Sequence, residues 1–167
     1  MPDFMNEEMI QLCNSDGIPK ESAPRSVCHK DPSLTQMVVH LLIFNSKGDI
    51  FLQKRSKTKD TYPDMWDTAV GGHVSAGEDV YTALIREAKE ELGIDLNTAE
   101  FIFKQLNKDD METELSFVYK TIYEGPFHID NNEVTDGCFF SIKEIKEQLG
   151  KNVFTPNFEK QFKQLLL

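Results

Sequence analysis

The sequence is short of paired cysteines, long apolar runs and positive charge, and each shortage excludes something. Of its 167 residues only Cys13, Cys28 and Cys138 are cysteines, odd in number and widely spaced. With no CxxC pair they suggest neither a zinc knuckle nor a disulfide framework, and each reads as a small, partly buried thiol. The longest apolar run, 38–44, is interrupted by His40 and is far too short to span a bilayer. The opening stretch, MPDFMNEEMIQL, is acidic and matches no secretory or transit signal, so the expectation is a cytoplasmic protein with no membrane partner. Lys and Arg total 18 against 28 Asp and Glu, a net charge of −10 that would repel a nucleic acid polymer over most of the surface. A small anion remains acceptable where cations are placed locally or a metal intervenes.

What is present is ordinary for one globular domain over 1–167, with 1–7 expected to be loose. Hydrophobic residues make up 40%, and twelve Phe are enough large side chains for a core. Neither internal repeats nor low-complexity tracts are visible. Strands are expected at 9–13, 37–44, 50–54, 68–70, 101–106, 115–123 and 138–141, with a hairpin turn at NSKG, 45–48. A polar, proline-containing segment fills 18–32, and 55–65 reads as a charged loop. Apolar residues recur with helical period from Glu78 to Leu92, and Gly93 is a good helix stop. Ser141 and Glu144 form a capping box for a helix to 149, and a last helix spans 157–166. Many strands with one central and two terminal helices argue an α+β fold, a mixed sheet with helices packed on it.

The chemistry gathers in GHVSAGEDVYTALIREAKEELGI, residues 72–94. On a helix Glu87, Glu90 and Glu91 stand at i, i+3 and i+4 and share one face. A solvated acidic face is the usual meaning of such a cluster. Two features oppose it here. The cluster lies at the helix C-terminus, where the dipole disfavours carboxylates, and Leu84, Ala88 and Leu92 place part of the face near the core. Crowded oxygens at a half-buried site suit a hard divalent cation such as Mg²⁺.

The spacing Gly72, Glu78, Arg86–Glu87, Glu90–Glu91, Gly93 resembles the complete signature box of the Nudix hydrolases. Seven fixed residue types match, a coincidence on the order of 10⁻⁸ per starting position. The resemblance implies a loop–helix–loop on an α/β/α sandwich, and hydrolysis of a nucleoside diphosphate derivative with Mg²⁺ or Mn²⁺. By position it implies that Glu87, Glu90 and Glu91 hold metal, that the Gly71 carbonyl contributes, and that Arg86 and Glu78 pair to brace the loop. Such enzymes often add an acidic residue from a later loop, a place that Glu133 fits as well as it fits a plain surface position.

The flanks FLQKRSKTKDTYPDMWDTAVGGHV and FTPNF are similar to the isopentenyl-diphosphate-isomerase-like subgroup, over about 9–166. The likeness implies a diphosphate clamp at Arg55 and Lys59, within a basic run that could equally be a solvated loop. It also implies a second metal site, altered here, at His29, His73, Glu112 and Glu114, with Gln36 where a third histidine would stand. On a strand Glu112 and Glu114 would face one way. Read without the likeness, His29 is a loop residue, His73 a turn hydrogen-bonder and His40 a satisfied structural histidine, while Trp66 belongs to the core and Tyr62 could stack on a base.

One departure separates the chemistries. The isomerase uses a cysteine just before its Gly-His pair, where this chain has Gly71. The expectation is therefore a metal-dependent hydrolase of a small-molecule diphosphate, ahead of an isomerase or a non-catalytic nucleotide-binding module. A homodimer is neither required nor excluded.

Overall fold

The computed structural model describes residues 4–129 and 134–167. After a short 3-10 turn at Phe4–Asn6 come β1 (Met9–Cys13), β2 (Pro19–Pro24), α1 (Arg25–Cys28), β3 (Thr35–Phe44), β4 (Ile50–Arg55), β5 (Trp66–Thr68) and β6 (Val70–His73). Then follow α2 (Val80–Leu92), β7 (Glu100–Lys108), β8 (Thr113–Ile122), β9 (Val134–Phe140), α3 (Ile142–Gln148) and α4 (Pro156–Leu165). The order is the α+β pattern expected, a mixed sheet with helices on both faces.

Strand β3 organises the sheet. Along one edge it runs parallel to β8 for its whole length, from Thr35↔Thr113 to Phe44↔Ile122. Its other edge pairs in turn with β1 at Gln36, with β6 through Val38↔His73 to Leu41↔Val70, and with β4 at Ile43↔Phe51. Strand β9 lies antiparallel to β4, and β7 antiparallel to β8.

Alternation along β3 sends its side chains to two separate cores. Met37, Val39, Leu41 and Ile43 pack with Ala83, Leu84, Ala88 and Leu92 of α2. Leu42 joins Ile50, Leu52 and Val118 under Ile145, Phe154, Phe158 and Phe162, the side chains of α3, α4 and the loop between them. Each fully buried leucine or phenylalanine contributes about 1.5–3 kcal/mol by leaving water. His40 falls on the second face, toward α4.

Helix α2 begins where Asp79 accepts a hydrogen bond from the Thr82 amide, and it ends at Gly93, whose φ of 66° is left-handed. Helix α3 carries the Ser141–Glu144 capping box. Thr155 caps α4 with Pro156 following. The expected strand at 68–70 is instead two strands, β5 and β6, separated at Ala69. The segment 18–32 is not featureless: it supplies β2 and the one-turn α1. Cys13 and Cys28 are buried, whereas Cys138 is exposed, contrary to the expectation of three partly buried thiols. Among the described residues no helix is long and apolar enough to cross a membrane.

Candidate active site

Strand β6 and helix α2 meet at the glycine pair. A Cβ on Gly72 would lie 2.2 Å from the Glu87 carboxyl carbon, so only glycine leaves room for that side chain. The Gly71 N–H donates to Glu91 Oε2 at 3.2 Å, and Gln53 Nε2 donates to the same oxygen at 3.4 Å. Arg86 braces the assembly. Its Nε and Nη2 donate to the two Glu78 oxygens at 2.9 Å, Nη2 also to the His73 carbonyl at 3.0 Å, and Nη1 to Glu87 Oε1 at 2.8 Å. Glu78 closes the loop by accepting from the Ser75 amide at 3.1 Å. The paired guanidinium holds the Glu78 carboxyl below its ordinary range.

The three helix carboxylates are not equivalent. The Glu87 side chain is only 12% exposed and Glu90 is 58% exposed, so Glu90 stands out in solvent with Arg86 Nη1 at 3.3 Å. Burial pushes the Glu87 carboxyl up, against the hydrogen bond and charge of Arg86. A buried carboxylate that resists ionisation suits a site completed by a cation. Among the described residues no three His, Cys, Asp or Glu side chains already converge in metal-holding geometry. The donor set nevertheless fits a hard divalent ion, because hard oxygens are presented against a glycine backbone with no side chain in the way. Glu133 lies outside the described residues.

A cavity of about 560 Å³ opens over this point, and Glu87, Glu91, Gly71 and Gly72 all line it. Arg55 and Lys59 line it as well. Arg55 is fixed by donating from Nε and Nη2 to the Thr61 carbonyl at 3.2 and 3.0 Å, with Nη1 3.4 Å from Asp67. Lys54, by contrast, pairs with Asp64 at 3.3 Å. Tyr62 is exposed at the cavity wall, while Trp66 packs edge-on against Phe140 in the second core, as expected for it.

The structure also brings His29, His73, Glu112 and Glu114 together on this wall. His29 Nδ1 bonds to Glu112, which also accepts from Gln36 Nε2 at 3.2 Å. The His29 and His73 rings are 5.7 Å apart, and His73 Nε2 stands 3.6 Å from Glu114. Burial acts most strongly on Glu114 and upward, yet His73, with His40 and His29 nearby, leaves its carboxyl below the ordinary range. Glu112 precedes β8 rather than lying in it, so its place beside Glu114 comes from the turn in which Asp109 accepts its amide at 2.9 Å. Among the described residues, neither the buried His73 Nε2 nor the buried Gln36 Oε1 has a hydrogen-bond partner.

Two further polar groups, His40 and Asn107, stand on the cavity side. His40 is held through Nδ1 by the amide of Gln161, whose Oε1 accepts from the Thr68 hydroxyl at 2.7 Å. Burial keeps its imidazole below the ordinary range, against the pull of Asp67 and Glu114. Asn107 lines the same cavity, and its buried Nδ2 has no hydrogen-bond partner among the described residues. The polar lapses at 40 and 105–107 inside strands were the available signal.

The NUDIX domain family matches residues 34–160. The chain belongs to the NUDIX family. It falls in the isopentenyl-diphosphate-isomerase-like subgroup and is an enzyme of the pyrophosphohydrolase type. An isopentenyl-diphosphate Delta-isomerase of Paenarthrobacter aurescens is 29% identical over 167 residues, covering 95% of this chain and 91% of that protein. A Listeria monocytogenes protein described as an uncharacterized Nudix hydrolase is 31% identical over 129 residues, 76% of each chain. Among solved structures, DR0079 from Deinococcus radiodurans superposes with a TM-score of 0.80 at 19% identity, covering 94% of this chain and 98% of that one. That likeness speaks for the fold. Family and fold agree with the expectation from the box at 72–94.

Proposed function

We propose that this Nudix enzyme hydrolyses the pyrophosphate linkage of a nucleoside diphosphate derivative or a similar small polar diphosphate, with Mg²⁺ or Mn²⁺. The observation that carries this reading is the lining of the cavity over the glycine pair. Among the described residues its only aliphatic side chains are Val38 and Val134, beside two helix carboxylates, Arg55 and Lys59. A hydrocarbon tail would bury almost no apolar surface there and would leave polar groups unpaired. A sugar or base would pair with them.

Glu87, Glu90 and Glu91 would hold the metal, helped by the Gly71 carbonyl and by Glu133. When bound, the metal neutralises charge on the leaving phosphate and acidifies the attacking water. Arg86 holds Glu87 on the glycine strand, and Glu78 holds Arg86. Arg55 and Lys59 clamp the diphosphate, the first as a planar fork and the second as a point charge. Whichever of Glu87 and Glu133 the metal does not fully engage would take the proton of the attacking water. His29, His73, Glu112 and Glu114 form a second, altered cation site. The close approach of His73 Nε2 to Glu114 and the buried Gln36 Oε1, which has no hydrogen-bond partner among the described residues, support it.

Isomerase chemistry is disfavoured by Gly71. A methyl placed there would lie 3.0 Å from His40 Cδ2, so a cysteine side chain would crowd the ring of His40. The net charge of −10 favours a small substrate over a nucleic acid polymer. The test is phosphate release, coupled to a phosphatase, across nucleoside diphosphates, nucleotide sugars, dinucleotides and isoprenoid diphosphates, with and without Mg²⁺ or Mn²⁺. Metal-dependent release from a polar class is expected. Turnover of isoprenoid diphosphates alone would overturn the reading.

A further inference from the structure

We infer that His40 is a substrate-contacting residue whose Nε2–H donates a hydrogen bond to an oxygen of the diphosphate lying over Gly71. The inference rests on the diphosphate reading above and adds a residue to it.

A structural histidine inside a strand has both ring nitrogens satisfied by protein. His40 does not. Its Nδ1 accepts from Gln161 Nε2, so the ring is neutral and its proton sits on Nε2. Nε2 has no hydrogen-bond partner among the described residues, although the ring lines the same cavity as Glu87 and Glu91. The ring is held by groups that are themselves buried. Gln161 is 0% exposed and Thr68 2% exposed, and with the Gln161 Oε1 accepting from the Thr68 hydroxyl the amide nitrogen is the end that faces the histidine. Such a relay sets one tautomer and one ring orientation at the cavity wall.

The opposite strand leaves room for this. His40 pairs with Gly71 across β3 and β6, and a Cβ at 71 would come within 3.2 Å of Nε2. Glycine at this position therefore keeps the N–H uncovered. On the other side of the same two glycines stand Glu91, accepting from the Gly71 amide, and Glu87 against Gly72. A diphosphate held at the strand by the carboxylate side would present its remaining oxygens to His40. A neutral donor binds phosphate oxygen without adding a charge that would repel the metal. In this scheme Gln161 is a positioning residue, acting only through the ring.

The test uses the intact protein and methylenediphosphonate, a non-hydrolysable form of the diphosphate core, with Mg²⁺. Ring-nitrogen NMR of the wild type should show the Nε2-protonated tautomer for His40, and its signal should move when the probe binds. By calorimetry His40→Ala should weaken probe binding about tenfold, the value of one hydrogen bond to a charged group. His40→Gln, which keeps a donor, should stay within about threefold of wild type, and Gln161→Leu should lose the single tautomer and lie between. A wild-type Nδ1-protonated ring, wild-type affinity in His40→Ala, or equal loss in His40→Gln would each overturn the inference. If the wild type binds the probe and hydrolyses diphosphates while His40→Ala matches it, only this inference fails. If the wild type does neither, the diphosphate reading fails with it.

Discussion

At the residue scale the site depends on how one guanidinium is shared. Arg86 serves Glu78, Glu87, Glu90 and the His73 carbonyl, so each carboxylate has a different duty. Glu91→Gln keeps shape and removes a charged oxygen; turnover at saturating Mg²⁺ should fall at least about tenfold with the melting temperature unchanged. Steady-state kinetics beside a thermal melt decides it, and near-wild-type turnover would remove Glu91 from the metal set. Glu78→Gln should instead act on stability, costing about 1–2 kcal/mol by leaving Arg86 short of its paired acceptor. Because the Glu78 carboxyl is held below its ordinary range, its contribution is fully present above the unfolded carboxylate pKa. It is lost as pH falls through the folded value. Denaturant melts of wild type and variant should therefore converge in acid and differ at neutral pH.

These residues were legible because the box is local: every member lies within 72–93, and helical spacing alone puts the glutamates on one face. His40 and Gln161 were not: the polar lapse at 40 is visible, but a contact across 121 positions leaves neither neighbourhood to name the other. His40 sits in an apolar strand and reads as a core residue until its partner and its cavity are seen.

At the element scale, strand β6 and helix α4 carry the site from opposite sides. Gly72→Ala should push Glu87 off its seat, since the added carbon would meet the carboxyl at 2.2 Å. Metal-dependent turnover should fall steeply, and Arg55-dependent diphosphate affinity should change little. Equal loss of both would mean that the strand itself has moved. Helix α4 brings Gln161 to His40 and is anchored by Phe158 and Phe162, both fully buried. Phe158→Ala should cost about 3–5 kcal/mol, readable as a lowered denaturant midpoint. The same elements show where sequence patterns hold and where they fail. Helix α2 was readable from its 3.6-residue period and its glycine stop. Strand β2, PKESAP, is exposed for half its length and has no apolar alternation, so nothing marked it as a strand. The boundary between β5 and β6 leaves no mark in the sequence because the strands flanking Ala69, WDT and VGGH, are three and four residues long and show no apolar alternation.

At the scale of the whole molecule, the sheet divides the labour. One face packs α2 through Met37, Val39 and Leu41, which fixes the carboxylate helix against the glycine strand. The other face packs α4 and leaves a polar basin between that helix and the sheet, lined by His40, Asn107, Glu114 and Arg55. Five cations, Arg25, Arg55, Lys59, Lys108 and Lys160, line that basin beside seven carboxylates, so within a molecule of net charge −10 a compact anion can be met locally where an extended one would be repelled. Raising ionic strength should accordingly weaken diphosphate binding, and most strongly for the most highly charged substrates.

The central claim is that water attacks phosphorus and breaks a P–O–P bond. Its most direct test is turnover of a nucleotide diphosphate derivative in ¹⁸O-labelled water with Mg²⁺, read by mass spectrometry. Two phosphate-bearing products, one carrying a single ¹⁸O, and no reaction without metal are predicted. An unlabelled product of unchanged mass, or no cleavage of any diphosphate offered, would contradict it.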